Sequence, residues 1–111
     1  MNAALYSLHL SASLRTVSLT HSLWDVINAV ALIQEEHGHA TIPQVHRALG
    51  VTYNNICLHL LRNESLFDEM PGSAPRRFKL SPSAIDLMAR VKAAVDRRHR
   101  AHSLPTAPAG T

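Results

Sequence analysis

The most apolar stretch of the chain, Leu23–Ile33, contains only two polar residues. Such a stretch predicts a helix that is apolar almost all round, whereas a surface helix shows a single apolar stripe. Ser22 followed by Asp25 resembles a capping box at its start, and Gly38 ends it after His37. We expect this helix to be buried on more than one side, with a second copy of the chain covering the further face.

Two shorter helical segments follow and are joined by a tight turn. Residues 41–44, Thr-Ile-Pro-Gln, combine a capping hydroxyl, a first-turn proline and a glutamine at N3, which predicts a short helix that Gly50 ends. Thr52 then caps a third helix that runs to about Asn63. The sequence therefore predicts a helix-turn-helix.

After these helices the pattern predicts a two-stranded hairpin and a last helix. Residues 65–70 are partly apolar, 71–75 form a turn rich in proline, and 76–80 alternate with Phe78 and Leu80 on one face. Ser81-Pro82 is a cap followed by proline at N1, and the helix that it starts should continue to about Arg100. The predicted apolar stripe of this helix consists of Ala84, Ile85, Met88, Val91 and Val95.

The two ends of the chain carry weaker patterns. Between residues 1 and 21, Leu8, Leu10, Ala12 and Leu14 alternate with polar residues as in a half-buried strand, although part of the pattern also fits a helical face. We expect an extended arm that packs on the domain or on a second subunit. The predicted organisation is thus an N-terminal arm (1–21), one domain with a C-terminal dimerisation helix (22–102) and a disordered tail (103–111).

The order of these elements is that of a winged helix-turn-helix, a mainly α fold with a small β-hairpin wing. Residues 40–60, ATIPQVHRALGVTYNNICLHL, resemble the helix-turn-helix of MarR-like and ArsR-like bacterial transcriptional regulators. Residues 71–82, PGSAPRRFKLSP, look like their wing, and the most specific element is the turn at 48–52. The resemblance implies a DNA-binding regulator, such as a repressor, from a bacterium, phage or plasmid that acts as a homodimer.

Residue chemistry predicts how such a fold would contact DNA. Thr52 as N-cap leaves the next three positions at an exposed helix N-terminus whose dipole favours phosphate. The first residues of the second helix contact base edges in helix-turn-helix docking, and asparagine can pair with the N6 and N7 edge of adenine. Arg77 and Lys79 should point away from the core side of the wing. The predicted DNA-binding residues are Thr52, Tyr53, Asn54, Asn55, Leu58, Arg62, Arg76, Arg77 and Lys79.

The net charge of the chain is +3, and the charges are distributed unevenly along it. Residues 1–70 carry three arginines against six acidic residues, whereas residues 71–111 carry eight Lys or Arg against two acidic residues. A basic C-terminal third suits a polyanionic partner. The predicted recognition helix holds one full positive charge, however, so a winged-helix protein-interaction module remains an alternative, with Tyr53, Leu58 and Leu61 as its docking patch.

The sequence gives weaker indications of metal binding and of redox chemistry. His37 with His39, and His99 with His102, each offer two metal ligands without a third nearby, so a metal-responsive repressor is a further alternative. Cys57 suits a small packed thiol or a redox switch. We find no phosphate loop, nucleophile elbow or metal-binding helix motif, and we expect no enzyme activity and no cofactor.

A chain of 111 residues suffices for one compact domain and leaves no room for a separate ligand-sensing domain. No apolar run approaches the roughly 20 residues that cross a bilayer. The first charged side chain is Arg15, which is unlike a secretory signal. We therefore expect no membrane partner and a cytoplasmic location.

Overall fold

The computed structural model of the protein describes residues 3–72 and 75–103, apart from the side chains of residues 102 and 103. These residues form two compact units. We call residues 21–87 the central unit, and residues 3–20 with 88–103 the terminal unit. In chain order the elements are α1 (Ala3–Thr16), α2 (His21–His37), β1 (Ala40–Thr41), α3 (Ile42–Leu49), α4 (Tyr53–Arg62), a 3-10 turn (Glu64–Leu66), β2 (Phe67–Met70), β3 (Arg77–Leu80) and α5 (Pro82–Ser103).

Helix α2 supplies more buried side chains to the core of the central unit than any other element. It contacts α3, α4, β1 and β3, and each fully buried aliphatic or aromatic side chain contributes about 1.5–3 kcal/mol relative to exposure. Its buried side chains are Leu23, Trp24, Val26, Ile27, Ala29 and Val30. The chain itself buries these six side chains, and the contact of this helix with a second copy stays a prediction.

The predicted cap of α2 is wrong. The helix already begins at His21, so Ser22 lies within its first turn. The Ser22 hydroxyl is instead 2.8 Å from Nε2 of His59, which joins α2 to α4. The Ser22 side chain thus bonds to another helix and does not occupy the N-cap position.

The start and stop signals of α3 and α4 are confirmed. The Thr41 backbone N–H donates to Oε1 of Gln44 at 2.8 Å, and the Gln44 N–H donates to Oγ1 of Thr41 at 3.4 Å. These two bonds complete a capping box. Gly50 adopts φ +73°, a left-handed conformation that ends α3. Oγ1 of Thr52 accepts from the Asn55 N–H at 3.2 Å and so caps α4.

The wing belongs to a three-stranded antiparallel sheet in the order β1-β3-β2, where the sequence predicted two strands. Strand β1 is two residues long and carries no alternation, which is why the pattern missed it; Ala40 pairs with Phe78. Along β3, Phe78 and Leu80 are buried while Arg77 and Lys79 are exposed, as predicted. Every second side chain of a strand points to the same face.

Polar contacts fix the base of the wing. The Leu80 N–H donates to Oε1 of Gln34 at 2.8 Å, so a side chain of α2 holds the end of β3. The buried Ser81 hydroxyl donates to the Ser65 carbonyl at 2.7 Å and accepts from the Ala84 N–H at 3.2 Å. The predicted cap of α5 is therefore confirmed, and it also joins that helix to the 3-10 turn.

Residues 3–16 form a helix, so the prediction of an extended N-terminal arm is wrong. The segment contains no glycine or proline and is rich in alanine and leucine, which favour helix. In the terminal unit Ser13 and Leu14 of α1 are buried, as are Val91 and Val95 of α5.

The apolar stripe of α5 is only partly as predicted. Ala84, Val91 and Val95 are buried, but Ile85 is exposed over 54% of its surface. The helix continues to Ser103, beyond the predicted end at Arg100. The rest of the predicted disordered tail, 104–111, lies outside the described residues.

Candidate nucleic-acid interface

The start of α4 presents polar side chains to solvent. Thr52, Tyr53, Asn54 and Asn55 are all exposed, whereas Ile56 is fully buried. The cap at Thr52 sets this direction, since it fixes the first turn from which the three following side chains project.

A histidine that the sequence analysis did not select supports this first turn. His46, in the last turn of α3, lies with Nδ1 2.6 Å from the Val51 carbonyl oxygen. Because a carbonyl can only accept, the proton of this hydrogen bond belongs to Nδ1. The same ring packs against the ring of Tyr53, with 4.8 Å between centroids. The sequence signal that could have identified His46 is its position four residues before Gly50, the glycine of the turn.

The remaining predicted residues of α4 divide by exposure. Leu58 is half-buried, and Arg62 in the last turn is exposed. Leu60 packs into the core, so α4 turns one face inward and leaves its N-terminus and Arg62 accessible.

The wing places two cations on its outer face. Arg77 and Lys79 are exposed on β3, and in the sheet register they lie opposite Met70 and Asp68 respectively. The alternation of the strand, anchored by buried Phe78 and Leu80, determines this direction.

Arg76 has a different environment from the other two cations of the wing. Its Nε donates to Oε2 of Glu69 at 2.9 Å and its Nη2 donates to Oε1 at 2.7 Å, a two-pronged ion pair across the hairpin. The hydrogen bond from Arg76 lowers the pKa of Glu69, and the same bond raises the pKa of Arg76. The sequence predicts Arg76 as a DNA contact but carries no signal that Glu69 is its partner.

A groove of about 680 Å³ lies between α4, the 3-10 turn and the wing. Leu60, Phe67 and Phe78 supply its apolar floor, and Cys57 and the Arg76–Glu69 pair also line it. The two phenyl rings meet edge to face, 6.2 Å apart. Arg76 is therefore a predicted DNA-binding residue that lines the groove.

Solved structures share this arrangement at low sequence identity. A point mutant of S. aureus MepR bound to an oligodeoxyribonucleotide is 15% identical, with a TM-score of 0.77 over 92% of this chain and 76% of that chain. NadR in complex with 4-hydroxyphenylacetate is 19% identical, with a TM-score of 0.68 over 85% and 68%. RV1404 from Mycobacterium tuberculosis is 15% identical, with a TM-score of 0.69 over 95% and 71%. The fold is a winged helix-turn-helix.

These three neighbours are MarR-family regulators, so the fold expected from the resemblance is confirmed. In winged helix-turn-helix terms, α3 and α4 form the helix-turn-helix, α4 holds the position of the recognition helix, and β2 and β3 form the wing. No family model matches the sequence, and no curated protein matches it either.

Two further expectations concern metal ions and membranes. Among the described residues no three His, Cys, Asp or Glu side chains are grouped so as to hold a metal ion; the side chain of His102 lies outside that part of the chain. No single helix between residues 3 and 103 is both long and apolar enough to cross a membrane, and only α1 and α2 taken together across a break reach that length and composition.

Proposed function

We propose that this protein is a sequence-specific double-stranded DNA-binding transcriptional regulator that acts as a homodimer in the cytoplasm. One observation carries the proposal: a capped, exposed α4 N-terminus and the exposed cations of β3 belong to the same compact unit. Helix-turn-helix docking uses the first residues of the second helix to contact base edges in the major groove. The oligodeoxyribonucleotide held by MepR, whose fold is similar, supports this use.

The residues divide into those that read sequence and those that supply charge. Asn54 and Asn55 carry amides that can pair with a base edge. Arg62, Arg77 and Lys79 offer cations to phosphates, which fix the position of a protein on DNA without reading its sequence. Thr52, Tyr53 and Leu58 would surround the base contacts, through phosphate or thymine methyl groups.

The homodimer is proposed from the terminal unit. Helix α1 exposes Tyr6 and Leu8, over 44% and 68% of their surfaces, although it is among the most apolar helices of the chain. A two-fold interface between copies of this unit would cover these side chains. The dimer would then present two recognition helices to half-sites roughly one turn of DNA apart, about 34 Å.

The proposal is tested by selecting bound sequences from random duplexes and measuring affinity by fluorescence anisotropy. We expect binding to random DNA that weakens steeply with salt, and tighter binding to the selected duplex. A folded protein that binds neither duplex at about 50 mM salt would overturn the proposal.

Exposed apolar groups favour a second candidate, a winged-helix protein-interaction module. The exposed fraction of the residue is 71% for Leu61 and 50% for Tyr53. Helix α4 also carries only one arginine, which is few for a surface that binds phosphates. If Tyr53, Leu58 and Leu61 form a docking patch, Leu61→Glu abolishes binding to a protein partner. In a DNA-binding regulator the same change lowers affinity for all duplexes through charge alone.

A further inference from the structure

The wing contains a carboxylate where a DNA-binding surface is expected to be basic. Glu69 on β2 holds Arg76 at the other side of the hairpin turn through two hydrogen bonds of 2.7 and 2.9 Å. Both side chains remain half-exposed, at 49% and 51%. The pair therefore lies at the surface of the wing, where a third charged group can reach it.

We propose that Glu69 limits the affinity of the wing for DNA, because its carboxylate competes with a DNA phosphate for the guanidinium of Arg76. The inference rests on the proposed DNA-binding function and assigns to that surface a residue that weakens binding. Arg76 then acts as a conditional phosphate ligand.

The geometry of the pair explains the competition. Arg76 uses Nε and Nη2 together, which is the planar fork that arginine also offers to phosphate. One edge of a guanidinium cannot hold a carboxylate and a phosphate at once. An ion pair this exposed is worth little in water, so phosphate can displace the carboxylate.

Displacement of Glu69 from Arg76 by a phosphate reduces the free energy that the wing gains on binding DNA. If Arg76 turns to the phosphate, Glu69 is left as an unpaired negative charge beside the DNA backbone. If Arg76 stays with Glu69, it neutralises no phosphate. In both cases the wing gains less than a free arginine would provide, so we expect three effective cations for each protomer, Arg62, Arg77 and Lys79. Six phosphate contacts for a dimer give a log–log salt slope of about −5.

The test is Glu69→Gln, which preserves the size of the side chain and removes its charge. We expect affinity to rise about two- to fivefold for each protomer, on selected and random duplexes alike. The gain is small because the free energy of an exposed ion pair, which phosphate binding no longer has to overcome, is itself small. One further phosphate contact for each protomer should steepen the salt slope to about −7. Arg76→Gln alone should change affinity less than about twofold.

A matched control separates this effect from simple loss of negative charge. Asp68→Asn removes one charge from the neighbouring position of β2, and its effect should be the same with or without Arg76→Gln. The gain from Glu69→Gln should instead disappear when Arg76→Gln is added. A gain that survives in the double variant, or no gain at all, overturns the inference.

The same measurements distinguish failure of the inference from failure of the proposed function. If wild-type protein binds DNA and Arg77→Ala weakens that binding, the proposed function stands whatever Glu69→Gln does. If no variant binds any duplex while circular dichroism shows a folded protein, both proposals fail.

Discussion

The two compact units differ in the number of apolar side chains that each contributes to the buried core. In the central unit, α2 packs on α3, α4 and the sheet and buries six apolar side chains. In the terminal unit, α1 buries only Ser13 and Leu14 and leaves Tyr6 and Leu8 exposed. Most of the buried apolar side chains among the described residues belong to the central unit, whereas the terminal unit contributes three, Leu14, Val91 and Val95. We propose DNA binding for the central unit and self-association for the terminal unit.

The largest expected effect concerns the core of the central unit. Ile27 is completely buried, and an aspartate there would be an unpaired charge in an apolar environment. We expect Ile27→Asp to lower the free energy of unfolding by more than about 4 kcal/mol and to abolish the cooperative thermal transition. Circular dichroism melting measures this.

A matched control lies on the same helix. Leu32 is exposed over 67% of its surface, so Leu32→Asp should change the unfolding free energy by less than about 0.5 kcal/mol. If Ile27→Asp melts like the wild type, the core of the central unit is not as described.

The next effect concerns the terminal unit. In a two-fold dimer Leu8→Glu changes both copies of the interface, and we expect it to raise the dissociation constant of the dimer at least 100-fold, about 3 kcal/mol. Sedimentation velocity at micromolar concentration should show a dimer for the wild type and a monomer for the variant. Leu61→Glu, an equally exposed leucine of the central unit, should leave the dimer intact. A monomeric wild type contradicts the assignment.

The two units also differ in how far their sequences predicted them. In the central unit the signals were local: the hydroxyl of Thr41, the left-handed Gly50 and the alternation of β3 each determine the backbone within a few residues. In the terminal unit the alternation of Leu8, Leu10, Ala12 and Leu14 favoured an extended arm over a helix, and the segment forms α1 instead. Partners that depend on tertiary structure, such as Glu69 for Arg76 and Gln34 for Leu80, could not be read from any local pattern.

The third prediction concerns the turn between α3 and α4. Gly50 adopts φ +73° with open space around its missing Cβ, so a substitution there is penalised by backbone conformation and not by collision. We expect Gly50→Val to destabilise the protein by about 1–3 kcal/mol. Gly50→Asn should cost less, since asparagine tolerates the left-handed region. Thermal melting compares the two, and equal melting temperatures for Val, Asn and the wild type contradict the placement of the turn.

The smallest effect concerns the two surfaces of the central unit that we propose to contact DNA. Asn54 lies exposed in the first turn of α4, where an amide can pair with a base edge. Asn54→Ala should therefore cost about 1–3 kcal/mol on the selected duplex and leave affinity for random DNA nearly unchanged. Arg77 on β3 supplies charge alone, and Arg77→Ala should weaken binding to every duplex by a similar factor.

The salt dependence of binding decides between the two roles. Each phosphate contact that is lost makes the log–log slope shallower by about 0.9, so Arg77→Ala in a dimer should shift the slope by nearly 2, and Asn54→Ala should not shift it. Competition binding at several salt concentrations, with selected and random duplexes, measures both quantities in one series. If Asn54→Ala weakens binding to both duplexes equally, α4 contacts only the phosphate backbone and sequence is read elsewhere. If neither substitution changes affinity in a folded protein, DNA binding fails as the function of the central unit, and the protein-interaction surface around Leu61 becomes the better explanation of its exposed residues.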